Sequence, residues 1–171
     1  MLRNRIIKRL TSVSAKRKVT AHNFDTANTM CVIMTCYSHT VGTTAALEKI
    51  AKKHNIKITE IVYFPEDEPM KKTRSKSKIV FSDENCSWLG KPELPELQNC
   101  INTDFSILID LSLTTWFPLK YVLLASKACF KVGYNSENAG LYDFLLLGKN
   151  DTEENLIKNT ETYLQKLKRN E

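Results

Sequence analysis

Residues 103–113 read Thr-Asp-Phe-Ser-Ile-Leu-Ile-Asp-Leu-Ser-Leu, and this stretch decides the fold class. Its apolar run is nearly continuous, whereas a strand with one wet face would alternate apolar and polar residues. The run therefore predicts a central strand that helices cover on both faces. Asp110 interrupts it near the carboxyl end, the edge at which open α/β sheets bind ligands. Asp110 has two possible roles: contact with a ligand, or a structural role in which it caps the next helix or accepts a hydrogen bond from a nearby backbone N–H group.

Other strands and helices alternate along the chain around this stretch. The pattern predicts further strands at 30–36, 56–64, 78–82, 130–133 and 143–148. It predicts helices at about 43–54 and 93–102, a helix after residue 113, and a last helix at about 151–168. This order predicts a three-layer α/β fold, Rossmann-like or flavodoxin-like, with a mostly parallel sheet of five to six strands. Only residues 135–142 separate the last two strands, which is short for a parallel crossover, so the pattern allows an antiparallel strand at one edge.

The first 20 residues differ from the rest of the chain in charge. They hold no acid, while the whole chain has a net charge of +6, so the remainder is close to neutral. Their apolar residues fall on one face of a helix. We predict a basic amphipathic arm over 1–20 and a single α/β domain over 21–171. The basic residues of the arm are Arg3, Arg5, Lys8, Arg9, Lys16, Arg17 and Lys18.

Three interpretations of the arm remain open. Its apolar stripe can dock on its own domain, it can meet an anionic surface such as RNA, a ribosome or an anionic membrane, or it can be disordered. Because the arm has no aromatic residues, we expect any RNA contact to reach phosphates rather than bases and to be sensitive to salt.

A second candidate site follows the first predicted strand. Residues 37–44 read Tyr-Ser-His-Thr-Val-Gly-Thr-Thr and lead into a helix, an order in which backbone N–H groups can hold an anion. The stretch is neither a Walker A loop nor G-x-G-x-x-G, and simple capping by Thr40 or Thr43 is the alternative. The candidate ligand-binding residues at this sheet edge are Ser38, Thr40, Gly42, Thr43, Asp110, Ser112 and Thr114.

Several classes of site are not indicated by the sequence. Five cysteines without C-x-x-C and three histidines without ligand spacing give no disulfide framework and no metal site. No cofactor motif and no set of catalytic residues is evident, and His39 is the one plausible acid–base partner for Asp110. Neither a secretory signal nor a membrane-length apolar run occurs, which predicts a cytoplasmic protein, with peripheral membrane association as the alternative.

Some short motifs resemble known families. Trp88-Leu-Gly-Lys-Pro92, the strand with Asp110, Phe117-Pro-Leu119, Lys131-Val-Gly133 and Tyr142-Asp143 resemble a family of bacterial proteins of unknown function, known mainly from the Bacteroidetes. That resemblance covers most of 20–168 and implies one cytoplasmic domain without a transferable activity. The run Ile107-Leu-Ile-Asp-Leu111, followed by a helix and Lys131-Val-Gly133, is similar to the amino-terminal half of lipopolysaccharide heptosyltransferases. This second resemblance implies the fold but not the activity, because the other half and its Gly-rich pyrophosphate loop are missing.

Two functions therefore remain. The favoured one is a non-catalytic cytoplasmic binding or adaptor protein whose arm meets an anionic partner. The alternative is a protein that binds a nucleotide, sugar phosphate or nucleotide sugar, or a glycosyltransferase-like enzyme, with its site at the carboxyl edge of the sheet. The sequence does not predict the oligomeric state.

Overall fold

The computed structural model describes residues 2–65, 77–112, 116–134, 136–147 and 152–167. Its strands are β1 (Thr29–Thr35), β2 (Lys57–Phe64), β3 (Lys78–Ser82), β4 (Ile107–Asp110), β5 (Phe130–Gly133) and β6 (Phe144–Leu145). Its helices are α1 (Leu2–Ser14), α2 (Val41–His54), α3 (Pro95–Ile101), α4 (Phe117–Ala125) and α5 (Glu153–Gln165), with 3₁₀ turns at Asp83–Asn85 and Ser136–Leu141.

The six described strands form one sheet in the order β3-β2-β1-β4-β5-β6, and every neighbouring pair is parallel. This order and the flanking helices confirm the predicted α/β, Rossmann-like fold. All four residues of β4 are buried, and the strand lies beside β1 in the middle of the sheet. The apolar run within residues 103–113 therefore forms a central strand, as predicted.

The prediction that one edge strand of the sheet could be antiparallel is wrong. β6 runs parallel to β5, with Phe144 opposite Val132 and Leu145 opposite Gly133. The chain leaves β5 at Gly133 and re-enters the sheet opposite Val132, so it has to travel back by only one residue of strand length. A 3₁₀ turn is enough for that return, whereas the usual length of a parallel crossover applies to strands that overlap along most of their length.

Each face of the sheet has its own apolar core. Ile107 and Ile109 of β4 pack into the core beneath α2 and α5, while Leu108 packs into the core beneath α3 and α4. This alternation follows from the two-residue period of a strand. Asp110 has the same parity as Leu108 and therefore faces the α3 and α4 side. Helix α1 adds to that side by packing against α4.

Local signals account for several helix ends. Asn55 adopts a left-handed conformation (φ 54°) and ends α2. Pro118 lies in the first turn of α4, where its missing N–H group is tolerated. Helix α4 begins after Trp116.

Candidate functional site

The predicted site lies where the strand order reverses, between β1 and β4. From β1 the chain continues to β2 on one side, and β4 leads to β5 on the other. Ligands of open α/β sheets bind outside the carboxyl ends of the strands at such a point. The loop 36–40 follows β1, and Asp110 is the last residue of β4. The candidate residue Thr114 lies outside the described residues.

Asp110 is a buried carboxyl group held on both oxygens. Its Oδ1 accepts a hydrogen bond from Ser112 N at 2.9 Å, and its Oδ2 accepts one from the Tyr142 hydroxyl at 2.7 Å. Burial raises the pKa of this carboxyl, while the bonds from Ser112 and Tyr142 oppose the rise. The Ser112 hydroxyl is buried, and it lies close enough to Asp110 to favour the ionised carboxylate. Its geometry nevertheless gives no well-formed hydrogen bond to a described residue. This arrangement matches the local hydrogen-bonding interpretation of Asp110.

Gly133 explains how Tyr142 reaches Asp110. The two strand residues Asp110 and Gly133 lie opposite each other in the β4–β5 register. Because Gly133 has no side chain, the ring of Tyr142 lies directly against it, and a Cβ atom there would overlap the ring. The three residues thus form one unit at the carboxyl edge of the sheet.

We expect Tyr142→Phe to lower the free energy of unfolding by about 1–3 kcal/mol, because it leaves Asp110 Oδ2 buried without the hydroxyl donor. Asp110→Asn should lower the free energy of unfolding much less. The amide oxygen can still accept a hydrogen bond from Ser112 N, and the amide nitrogen can donate one to the Tyr142 oxygen. Urea denaturation at neutral pH measures both variants. An equal loss in the two would contradict the role assigned to this hydroxyl.

The hydroxyl groups of the loop before α2 are used within the loop. Thr40 Oγ1 accepts a hydrogen bond from Thr43 N at 3.0 Å, and Thr43 Oγ1 donates to Ser38 O at 2.8 Å. The carboxylate of Glu154, from α5, lies against Gly42 at the start of α2. A carboxylate in this position suits the positive end of the helix dipole. The geometry therefore shows N-capping by Thr40, and any external anion at this point would compete with Glu154.

His39 does not join Asp110. Its Nε2 lies 3.3 Å from Glu60 Oε2 and 2.8 Å from Lys78 Nζ. Glu60 lies between Ile58 and Val62 on the face that packs beneath α2, whereas Asp110 points to the opposite face. The two groups that could share acid–base chemistry are therefore separated by the sheet.

The arm is ordered as α1 and the turn that follows it. Arg17 forms an ion pair with Asp143 and donates from Nε to Ala128 O at 3.1 Å. The guanidinium of Arg3 lies 5.2 Å from the centre of the Phe117 ring. These contacts fix both ends of the arm on the body. The side chains of the remaining basic residues are exposed, namely Arg5, Lys8, Arg9, Lys16 and Lys18.

Lys131 is a buried residue that the sequence analysis did not single out. Its ammonium donates to Leu123 O at 2.6 Å, at the end of α4, and to Ser14 Oγ of the arm at 3.1 Å. The pKa of Lys131 is lowered to about 7, mainly by burial; the nearby Arg17 contributes to the lowering and Asp143 opposes it. The signal that could have identified this buried lysine is its position within the short strand Phe130-Lys-Val-Gly133, all of whose residues are buried.

The described part of the chain lacks two further features. It contains no group of three or more His, Cys, Asp or Glu side chains that could hold a metal ion. It also contains no helix of sufficient length and apolar character to cross a membrane.

Comparison with known proteins gives the family. A model described as Family of unknown function (DUF6913) matches residues 1–167. The chain belongs to the DUF6913 family. The predicted membership of a family of unknown function is thus confirmed, and the DUF6913 match includes the arm as well as the sheet. No curated protein and no solved structure matches the chain, and no finding supports the similarity to heptosyltransferases.

Proposed function

We propose that this protein binds a phosphate-rich polymer, RNA, through the exposed face of α1. The observation that carries the proposal is the charge of this helix and its turn: six basic side chains are exposed, Arg3 among them, and residues 1–20 contain no acid. Such a patch attracts phosphates in a way that does not depend on base sequence. Because α1 is docked, its charges are held on a fixed surface and not on a free tail.

The packing of α1 favours RNA over a membrane as the partner. A helix that lies in a membrane interface buries its apolar face among the lipids. Ile6, Ile7 and Leu10 are half-buried in the helix that packs against α4, so the middle of the apolar stripe is not free to insert, while Leu2 and Val13 at its ends are exposed. We accordingly propose that this is a cytoplasmic protein of bacterial origin and that it associates with RNA or ribosomes. Anionic lipid is the alternative partner, and the test below distinguishes it from RNA.

The test compares two triple variants of equal charge. Arg5→Ala/Lys8→Ala/Arg9→Ala removes exposed charges of α1 without touching Arg3 or Arg17, which contact the body. We expect it to weaken binding to single-stranded RNA at least tenfold at moderate salt, and to reduce the slope of log K against log salt by about 2, as counterion release predicts. Fluorescence anisotropy of a labelled RNA oligomer measures both quantities.

The control variant removes three exposed lysines that lie outside α1, namely Lys49 and Lys52 of α2 and Lys57 at the start of β2. It has the same net charge as the α1 variant and should bind RNA like the wild-type protein. Equal weakening by both triple variants would mean that only net charge matters, and the proposal would fail. Binding to anionic vesicles but not to RNA, lost in the α1 variant alone, would replace RNA with lipid as the partner.

A ligand site formed by Asp110 and the loop before α2 has weaker support. Both oxygens of Asp110 accept hydrogen bonds from the protein, and the start of α2 faces Glu154. We propose no reaction at this edge, and we propose no glycosyl transfer, because the described sheet is a single Rossmann-like unit.

A further inference from the structure

A cleft of about 410 Å³ lies beyond the carboxyl ends of β2 and β3, next to the start of α4. It is lined by parts of the chain that are far apart in sequence: the arm, the end of β2, the turn after β3, the loop 86–90 and residues 116–118. Its volume falls in the range of small-molecule sites, about 300–1,000 Å³. None of the ligand-binding residues predicted from the sequence lines it.

Two tryptophans border this cleft, and both are exposed. Trp88 is 80% exposed and Trp116 is 41% exposed. Large aromatic side chains are normally at least partly covered, and tryptophan is enriched among residues that dominate binding. Trp116 also packs against Tyr63, with ring centres 6.0 Å apart, so the cleft has an aromatic wall as well as an aromatic rim.

The loop that carries Trp88 is held in place by its own bonds. Ser87 N donates to Lys91 O at 2.8 Å, and Gly90 N donates to Ser87 O at 2.7 Å. Gly90 has a positive φ of 83°, and a Cβ atom there would approach Phe117 to 2.8 Å. Only glycine tolerates this conformation and this close contact easily. The turn therefore packs directly against the Phe117 ring. Trp88 is therefore exposed on a supported turn.

Polar groups of opposite charge line the same cleft. The guanidinium of Arg3 lies over the Phe117 ring at 5.2 Å, which orients its planar donors beside the aromatic side chains. Asp83 accepts a hydrogen bond from the Tyr63 hydroxyl at 2.8 Å and supplies a fixed carboxylate. Arginine is suited to phosphates and carboxylates, and the faces of tryptophan suit flat heteroaromatic rings.

We propose that this cleft binds a mononucleotide unit, with its base against Trp88 and Trp116 and its phosphate at Arg3. The unit can be a free nucleoside monophosphate or one nucleotide of a single-stranded RNA. Asp83 offers an acceptor for a sugar hydroxyl or a base N–H group. The proposal does not depend on the other basic residues of α1, since Arg3 is the residue of that helix that lines the cleft and the remaining lining residues belong to the body.

Intrinsic fluorescence gives a direct test, because these are the only two tryptophans of the chain and both line the cleft. The probes are AMP, GMP, CMP and UMP, their nucleosides, and inorganic phosphate, with excitation at the red edge of the tryptophan band. We expect saturable quenching by at least one mononucleotide, weaker binding of its nucleoside, and no quenching by phosphate alone. The absence of saturable quenching by all four mononucleotides and by single-stranded RNA would overturn the proposal.

Two variants assign the parts of the ligand. Trp88→Ala should weaken mononucleotide binding by about 5- to 150-fold, the range found for loss of one base–aromatic stack. Arg3→Gln should reduce the affinity for the mononucleotide to that for the nucleoside, while leaving nucleoside binding unchanged. Lys49→Gln, an exposed lysine on α2, is the matched control for loss of one charge. Calorimetry gives the affinities for each variant, and equal affinities in all three variants and the wild type would refute the assignment.

A final comparison separates the two sources of the nucleotide. Quenching by an RNA oligomer but not by free mononucleotides, lost in Trp88→Ala, would support the cleft as a pocket for one base of RNA. Mononucleotide quenching that persists in the α1 triple variant would support the cleft as an independent site, whether or not the proposed RNA surface is correct.

Discussion

Gly133→Ala should lower the free energy of unfolding by about 3 kcal/mol, since forced overpacking costs about 1–3 kcal/mol and a lost buried hydrogen bond adds to it. The backbone does not cause this loss, because Gly133 does not have a positive φ. The cause is the Tyr142 ring, which occupies the space that the new Cβ needs. Moving the ring also removes its hydroxyl from Asp110, which is buried. Urea denaturation measures the effect.

Two controls isolate the ring contact. Gly140→Ala adds the same methyl group where, apart from the chain neighbours, no heavy atom of the described residues lies within 4 Å, and we expect a change of no more than about 0.5 kcal/mol. Tyr142→Ala removes the obstacle, so the cost of Gly133→Ala in that background should fall below about 1 kcal/mol. An unchanged cost in the two backgrounds would show that the ring contact is not responsible.

Strand positions were predictable because burial on both faces leaves a mark in the sequence. β3 and β5 begin and end at the predicted residues, and β1 agrees to within one residue. The direction of β6 was not predictable in the same way. It depends on an offset between two strands, in which Phe144 pairs with Val132, and no local pattern records such an offset.

The position of Asp110 was predictable, but its environment was not. An acid at the end of an apolar run places the carboxyl at the end of the central strand, as observed. Its partner Tyr142 comes from a turn after β5 and reaches it only because Gly133 leaves room. His39 follows the neighbouring strand, yet its contacts with Glu60 and Lys78 lie on the other face of the sheet. Which face a loop side chain takes is decided by tertiary packing.

The aromatic cleft shows the limit of reading one segment at a time. Base stacking was set aside because the arm itself has no aromatic residues. In the folded protein Arg3 of the arm lies beside Phe117 and shares a cleft with Trp88 and Trp116, which are supplied by the body. The combination arises because α1 packs against α4, a contact between distant segments that no sequence motif states.

Lys131 should make the protein more stable as the pH rises from about 7 towards 10. Its pKa is about 7 in the folded protein and 10.5 in its ordinary state, so between these values the unfolded chain binds more protons. The free energy of unfolding then increases with pH, on the order of 3–5 kcal/mol over the full window. Below about pH 7 both states are protonated, and the cost of burying the charge is constant.

Other groups titrate in the same range with the opposite sign. Burial raises the pKa of Cys86 to about 12 and raises that of Tyr134, so these groups make stability fall with increasing pH. The measurement is therefore the difference between the wild-type protein and Lys131→Met, which keeps the apolar stem and removes the charge. We expect Lys131→Met to be at least as stable as wild type near neutral pH, and the wild-type protein to gain on it steadily as the pH rises.

The control is Lys127→Met, which changes an exposed lysine just before β5. Its stability should follow the wild-type curve, because the substituted side chain is exposed. Parallel curves for wild type and Lys131→Met would mean that the buried ammonium keeps its ordinary pKa. A convergence at alkaline pH, absent in the Lys127 variant, would show that Leu123 O and Ser14 hold an amine that loses its proton near neutrality, under the arm that carries the basic surface.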